Sequence, residues 1–296
     1  ELLALAWPDL AISLSSDVAP EIREFERAST TAANAFVKPL AETYLDALGD
    51  RLAARGVAAP LLLMLSSGGL THVGEVKRAP VQMLESGPAA GALAAADIGR
   101  AEGLDHVLAF DMGGTTAKLC LVDDGEPMVA YRFEAARERR FAEGSGLPIR
   151  ISTVELIEIG AGGGSIARLD DLGLLKVGPD SAGAEPGPVA YGRGGGAPTV
   201  TDGDFMLGYL AAEGFAGGAI EVDLDACEAA LGALAAAAGL SSDRLAWGIH
   251  DLVNENMASA ARVHIAEKGR DPRRYTLVAT GGAGPVHAYY LARKLG

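Results

Sequence analysis

Apolar positions recur at helical and strand spacings along most of the chain, and glycine-rich turns punctuate them. Residues 1–19 read as an extended lead-in. From 21 to 55 the spacing predicts a helix that follows Pro20, packs through Phe36, Leu40, Leu45, Leu48 and Leu52, bends or divides at Pro39 and stops at Gly56. A short apolar run at 61–65 ends in the turn Ser66-Ser67-Gly68-Gly69, and 80–84 reads as another strand. A small-residue helix opens at Ser86-Gly87-Pro88 and reaches Gly99.

Strands at 106–110 and 117–122 flank Asp111-Met112-Gly113-Gly114-Thr115-Thr116, and 128–133 follows a turn at Asp124-Gly125. This is a meander rather than a helix crossover. Mixed charges at 134–143 suggest an exposed connection. Glycine and proline are so dense across 151–200 that this stretch is expected to wrap a site, not to serve as a plain linker. Helices follow at 203–210, 223–239 and 242–268, then a strand at 275–279 and a helix at 284–295.

Composition narrows the possibilities. The 296 residues suffice for one large domain or two joined ones, and 49% hydrophobic content marks a folded chain. The formal net charge of −14 disfavours nucleic acid and anionic membranes as partners, yet leaves room for a nucleotide held by a local loop. Cys120 and Cys227 show no disulfide or zinc spacing and suit a reducing cytoplasm. No stretch reaches the roughly 18 apolar residues of a membrane span. The chain opens at Glu1 without methionine, so it is expected to be a piece of something longer.

Four glycine motifs carry candidate chemistry. In the first, Gly113 and Gly114 would let backbone N–H groups approach phosphate oxygens, and the Thr115 and Thr116 hydroxyls would add hydrogen bonds. Asp111 would hold a magnesium-bound water or orient a nucleophile. The bland alternative is an ordinary hairpin with a solvated acid. It is not a P-loop, because no Gly-Lys-Ser/Thr follows. In the second, Gly281, Gly282 and Gly284 sit between a strand and a helix N-terminus, a surface suited to adenosine and phosphate. The third, Gly160 to Ser165, lacks a dinucleotide fingerprint, but Gly162 and Gly163 imply close approach of a ligand or another chain segment. In the fourth, Arg193 could clamp a carboxylate or phosphate, and Asp202 could serve a metal-bound water or cap a helix. The five histidines show no familiar metal spacing. His287, beside the second motif, could touch a ligand.

In order, the chain carries Ser66–Gly69, Ser86–Gly91, Phe110–Thr116, Gly144–Pro148, Glu158–Ser165, Gly178–Gly183, Pro186–Pro188 with Tyr191–Arg193, Thr199–Asp202 and Gly281–Pro285. This series resembles the hydantoinase A/5-oxoprolinase family, which includes N-methylhydantoinases and the related subunits of acetone and acetophenone carboxylases. The resemblance covers nearly the whole chain, although Val189 stands where many members carry cysteine.

The resemblance implies an α/β fold of the actin-like ATPase (ribonuclease H-like) type, with mixed sheets flanked by helices and two lobes around a cleft. Residues 1–100 would be the remainder of a truncated first lobe with connecting helices. Residues 101–296 would be the second lobe, with 151–200 as a glycine-rich insertion. It implies ATP and magnesium as cofactors, Asp111 as the catalytic and metal-binding acid, and Asn256 and Arg262 as further ribose or adenine contacts. The implied reaction opens hydantoins, N-methylhydantoin or 5-oxoproline after phosphorylation of the carbonyl oxygen, followed by water attack. The alternatives are the ATPase-type subunit of a ketone carboxylase and a non-catalytic packing module of a larger enzyme. No second Asp-x-Gly-Gly-Thr hairpin precedes residue 111. The expected partners are therefore a missing N-terminal segment, without which the isolated chain would be inactive, and a B-type hydantoinase subunit.

Overall fold

The structure, a computed structural model, describes residues 2–7, 10–135 and 144–296. The chain begins with helices α1 (Leu2–Ala6), α2 (Ser15–Val18) and α3 (Glu24–Ala54), then an antiparallel pair, β1 (Leu62–Met64) and β2 (Leu70–His72). Helices α4 (Val73–Arg78) and α5 (Ser86–Glu102) lead to β3 (His106–Met112), β4 (Ala117–Asp123) and β5 (Glu126–Pro127). Short strands β6 (Val129–Ala130), β7 (Phe133–Ala135), β8 (Leu147–Ile149) and β9 (Thr153–Val154) come next. The remainder is β10 (Ile157–Ile159), β11 (Ser165–Leu169), β12 (Leu175–Ser181), α6 (Val200–Met206), α7 (Leu224–Ala238), α8 (Ser242–Glu267), β13 (Thr276–Thr280) and α9 (Gly284–Leu295). Two compact units emerge, one of residues 1–93 with 127–155, the other of 94–126 with 156–296. Among the described residues no single helix is long and apolar enough to cross a membrane.

In the first unit α3 departs from expectation. Leu45 is buried, but Phe36 is 86% exposed and Leu40 76%. The face turned inward is polar instead: Ser29, Thr30 and Asn34 are buried with it. Each has a backbone partner to satisfy. The Ser29 hydroxyl donates to the Pro148 carbonyl, Thr30 Oγ1 accepts from the Arg150 N–H, and Asn34 Oδ1 accepts from the Val81 N–H. The helix runs through Pro39 without division. Val18, Val81, Ile149 and Ile151 make the apolar core beside it. Residues Pro80–Met83 form a 3-10 turn rather than a strand, with Pro80 in the first turn where its missing N–H costs nothing.

The second unit is built on a sheet in the order β10-β4-β3-β13, with β5 also on β4. β3 pairs antiparallel with β4 and parallel with β13, so the expected mixed sheet is present. Its central strands are buried along most of their length rather than on alternate residues, the pattern of a sheet covered on both faces. Leu245, Ile249, Val253, Met257 and Ile265 of α8 and Leu291 of α9 are fully buried helix positions in this unit. The stretch 151–200 is more regular than its composition suggests. It contains β9 to β12, and its glycines, Gly178 of β12 excepted, fall outside the strands. Of the expected exposed connection at 134–143, residues 136–143 lie outside the described residues.

The edge of this unit is tied at Asp123. Its carboxylate accepts from Tyr275 Oη at 2.7 Å, meets His106 Nδ1 at 2.9 Å and pairs with Arg270 at 2.8 Å. Burial opposes the charge, but these hydrogen bonds and Arg270 hold the carboxyl below its ordinary range. Burial and the bond to Asp123 push the Tyr275 phenol up to about 12. Because the folded-state pKa of Asp123 is depressed, its contribution is fully present above the unfolded value and disappears as pH falls through the folded one. Asp123→Asn should therefore cost about 1 kcal/mol at neutral pH and much less in strong acid, read by urea unfolding at both. An equal loss at both would contradict this.

Candidate functional site

Two glycine loops of the second unit, 162–164 and 281–284, converge on the β3–β4 hairpin. Asp111 faces Thr280 of β13 across the parallel register, so the strand ends carrying Asp111 and Gly281 lie side by side. Gly281 has φ +83°, and a Cβ there would collide with Asp111 Oδ1 and the Met112 carbonyl. Only glycine fits. The Ala283 N–H donates to the Met112 carbonyl at 2.9 Å, which seats the N-terminus of α9 beside the hairpin. That first turn carries no acidic residue, so its partial positive charge is uncompensated by a side chain.

The loop 162–164 docks on the hairpin from another side. Its Gly163 N–H donates to the Gly113 carbonyl at 3.0 Å and its Gly164 N–H to the Gly114 carbonyl at 2.6 Å. A Cβ on Gly162 would stand 2.6 Å from the Gly114 carbonyl carbon and oxygen. This close approach is to another chain segment, one of the two expectations for that motif. Thr201 at the start of α6 holds the loop from behind, donating both N–H and Oγ1 to the Gly163 carbonyl at 2.7 and 2.8 Å. The Ala182 N–H donates to the Gly164 carbonyl at 2.9 Å and brings in the fourth motif.

Three glycines differ from these. Gly113, Gly114 and Gly282 have no atom within 4 Å of where a Cβ would point, and none has the left-handed φ that demands glycine. Packing within the chain does not account for them. Gly114 and Thr115 are exposed, Thr116 and Asp111 half-buried. Among the described residues the Asp111 side chain makes no hydrogen bond, so its oxygens are open to a ligand. Hard oxygen donors of this kind, a carboxylate with nearby threonine hydroxyls, suit magnesium. The hairpin, Asp111 and the Gly281–Gly284 loop thus form one surface of backbone amides, hydroxyls and a helix N-terminus. Such a surface can hold an anion against a carboxylate-bound cation.

Other expected residues are placed elsewhere. Asp202 is fully buried and its carboxylate is saturated. It accepts from the N–H groups of Val189, Ala190 and Thr199 and from Thr199 Oγ1, completing a capping box on α6. It has no capacity left for a metal-bound water. Arg262 donates to the Lys294 carbonyl and Glu255. Lys294 lies ten residues past Gly284 on α9, about 15 Å along the helix, so this arginine serves the far end from the adenosine loop. Asn256 reaches toward the Val177 carbonyl at 3.4 Å. Arg193 is exposed and lines a depression of about 610 Å³ with Glu221, Asp223 and Asp225, away from the hairpin residues. His287 turns inward to Asp204, not outward to a ligand. Sequence reasoning did not single out Thr201 as the residue holding the 162–164 loop. Its place at the start of a capped helix was the available signal.

Residues 27–296 match the profile of the Hydantoinase/oxoprolinase family. The chain is 37% identical over 296 residues to the caprolactamase subunit alpha of Pseudomonas jessenii, covering 100% of this chain and 41% of that protein. It is 33% identical over 278 residues to the acetophenone carboxylase gamma subunit of Aromatoleum aromaticum, covering 93% and 37%. The nucleotide-free acetone carboxylase structure superposes over 95% of this chain and 38% of that one, with a TM-score of 0.81 at 29% identity. The crystal structure of the P. jessenii ATP-dependent caprolactamase superposes over 100% and 42%, with a TM-score of 0.74 at 36% identity. The actin-like ATPase type of α/β fold expected above is therefore the fold of this chain. The chain spans less than half the length of these relatives, two of which are named as subunits.

Two stability measurements check this geometry. Asp202→Ala strands buried N–H donors and should cost about 3 kcal/mol in chemical unfolding. Gly162→Ala drives a methyl into the hairpin backbone and should cost about 1–3 kcal/mol. Near-neutral results would remove these residues from the scaffold described.

Proposed function

The chain belongs to the hydantoinase/oxoprolinase family, and from that premise we propose that it carries the ATP-binding and phosphoryl-transfer surface of an enzyme that opens cyclic amides or ureides. The observation that carries this reading is the division among the glycines. Those at 162 and 281 are required by packing, whereas Gly113, Gly114 and Gly282 face open space; the Gly113 N–H closes the turn onto the Thr116 carbonyl, and among the described residues the N–H groups of Gly114 and Gly282 have no acceptor. A phosphate needs that access.

In this reading the 113–116 hairpin holds the phosphates through its open amides and its threonine hydroxyls, with Gly113 keeping the approach clear, and the 281–284 loop seats the adenosine with α9 directed at the phosphate chain. Asp111 would hold magnesium, which supplies charge neutralisation for the transferring phosphoryl group. Phosphoryl transfer asks the protein for positioning more than for covalent chemistry, and a rigid backbone surface provides it. The substrate carbonyl oxygen accepts the phosphoryl group, which turns a poor electrophile into one that water attacks with loss of phosphate. A five-membered or larger lactam or ureide is the substrate class, and a B-type subunit in the same cytoplasmic enzyme is the partner that completes hydrolysis.

A second reading has its own support. The acetone carboxylase structure superposes with the higher TM-score, 0.81 against 0.74, although the caprolactamase subunit is the nearer of the two carboxylase and amidase relatives in sequence. In that reading the same surface phosphorylates a ketone enolate oxygen. ATP-dependent phosphate release with lactams and hydantoins, or with ketones and bicarbonate, separates the two.

Asp111→Asn in the complete protein should leave the unfolding midpoint unchanged and lower ATP turnover by about 100-fold or more. Gly114→Val should likewise keep its fold, since the site is open, but weaken nucleotide binding by about 10-fold or more on titration calorimetry, the factor that 1.4 kcal/mol of lost contact represents. Normal turnover in the first and unchanged affinity in the second would reduce the hairpin to a structural turn and favour a packing module.

A further inference from the structure

A second cluster of polar side chains lies inside the unit, separate from the hairpin. Asp204 of α6, His250 of α8 and His287 of α9 are 2%, 0% and 0% exposed. Asp204 Oδ1 lies 2.7 Å from His250 Nδ1, and Asp204 Oδ2 lies 3.2 Å from His287 Nε2. The two imidazoles stack with centroids 4.6 Å apart. One donor atom from each of the three residues lies within 4.8 Å of the other two.

The hydrogen bonding of this cluster is incomplete. Both ring nitrogens of His287 and Nε2 of His250 are buried with no hydrogen-bond partner among the described residues. Asn254, one helical turn past His250, also has a buried Oδ1 without a partner. Buried polar atoms are seldom left this way, because each costs on the order of 1–3 kcal/mol. Here three such atoms belong to two residues whose neutral side chains are metal ligands, beside the Asp204 carboxylate.

We propose that Asp204, His250 and His287 form a buried site for a divalent transition-metal ion of the zinc class. Two imidazole nitrogens and one carboxylate oxygen suit zinc, cobalt or nickel and not magnesium, which prefers oxygen ligands. Ligands about 2.0–2.2 Å from a tetrahedral ion stand roughly 3.3 Å from one another. The 2.7 and 3.2 Å contacts already bring the donors near that spacing. On binding, His250 takes the tautomer protonated at Nε2, which frees the Nδ1 lone pair, and Asp204 Oδ1 turns from the hydrogen bond to the ion. Trp247, Tyr209 and Tyr290 pack their rings around His250 at 5.7, 5.0 and 5.1 Å and form the apolar wall that a closed structural site requires.

The consequence lies in what the three helices carry. Asp204 is three residues past Thr201, which holds the 162–164 loop, and His287 is three residues past Gly284 in the 281–284 loop. An ion at this point would join α6 and α9 through α8 and brace both glycine loops from within the unit. This role is independent of what the loops bind.

The test uses the protein stripped with EDTA and then titrated with Co²⁺ and Zn²⁺. Expected are one ion bound per chain, a tetrahedral Co²⁺ visible spectrum, a raised melting temperature and no displacement by millimolar Mg²⁺. His287→Gln and Asp204→Asn should lose the spectrum and the stoichiometry. A folded wild-type protein that takes up neither ion would overturn the proposal, and this holds even if a variant fails to fold. Unchanged uptake in folded variants, or displacement by Mg²⁺, would overturn it as well.

Discussion

The candidate site depends on backbone meeting backbone. The loop at 162–164 donates two N–H groups to the carbonyls of Gly113 and Gly114, at a separation where a single methyl on Gly162 has no room. Gly281 presses on Asp111 in the same way. These contacts fix the hairpin from two directions through its carbonyls and leave the N–H of Gly114 without an acceptor among the described residues. A surface fixed by main-chain bonds loses little freedom when a ligand arrives, which is what positioning chemistry requires.

The support extends outward in a definite order. Asp202 gathers 189–190 and the start of α6, Thr201 of that helix holds Gly163, and the Ala283 N–H ties α9 to Met112. The acidic net charge of −14 does not conflict with an anion site. What a phosphate meets at short range is a helix N-terminus and peptide dipoles, and the distant surface carboxylates are screened by salt.

The sequence made the outline of this arrangement readable. Strand, Gly-Gly turn and strand at 106–122, and the final strand, glycine turn and helix, are where the periodicity puts them, because their apolar runs are long and their turns are marked by glycine. What it could not distinguish was the reason for each glycine. Gly162 and Gly114 look alike in a string of letters, and only the space around them separates a packing requirement from an open face. The place of Arg262 was hidden for a related reason. Helical spacing assigns a face, but Arg262 is claimed by the Lys294 carbonyl, a partner no local pattern reveals. The inward polar stripe of α3 was hidden in the same way, since Ser29, Thr30 and Asn34 are buried by backbone groups distant in sequence. The joining of Asp204, His250 and His287 spans three helices, so searching for histidines spaced along one helix missed it.

The most direct measurement is a structure of the complete protein with magnesium and a non-hydrolysable ATP analogue. Expected are phosphate oxygens within hydrogen-bonding distance of the 114–116 backbone amides, the cation beside Asp111 and the purine against the 281–284 loop. A nucleotide bound elsewhere, with that hairpin untouched, would contradict it.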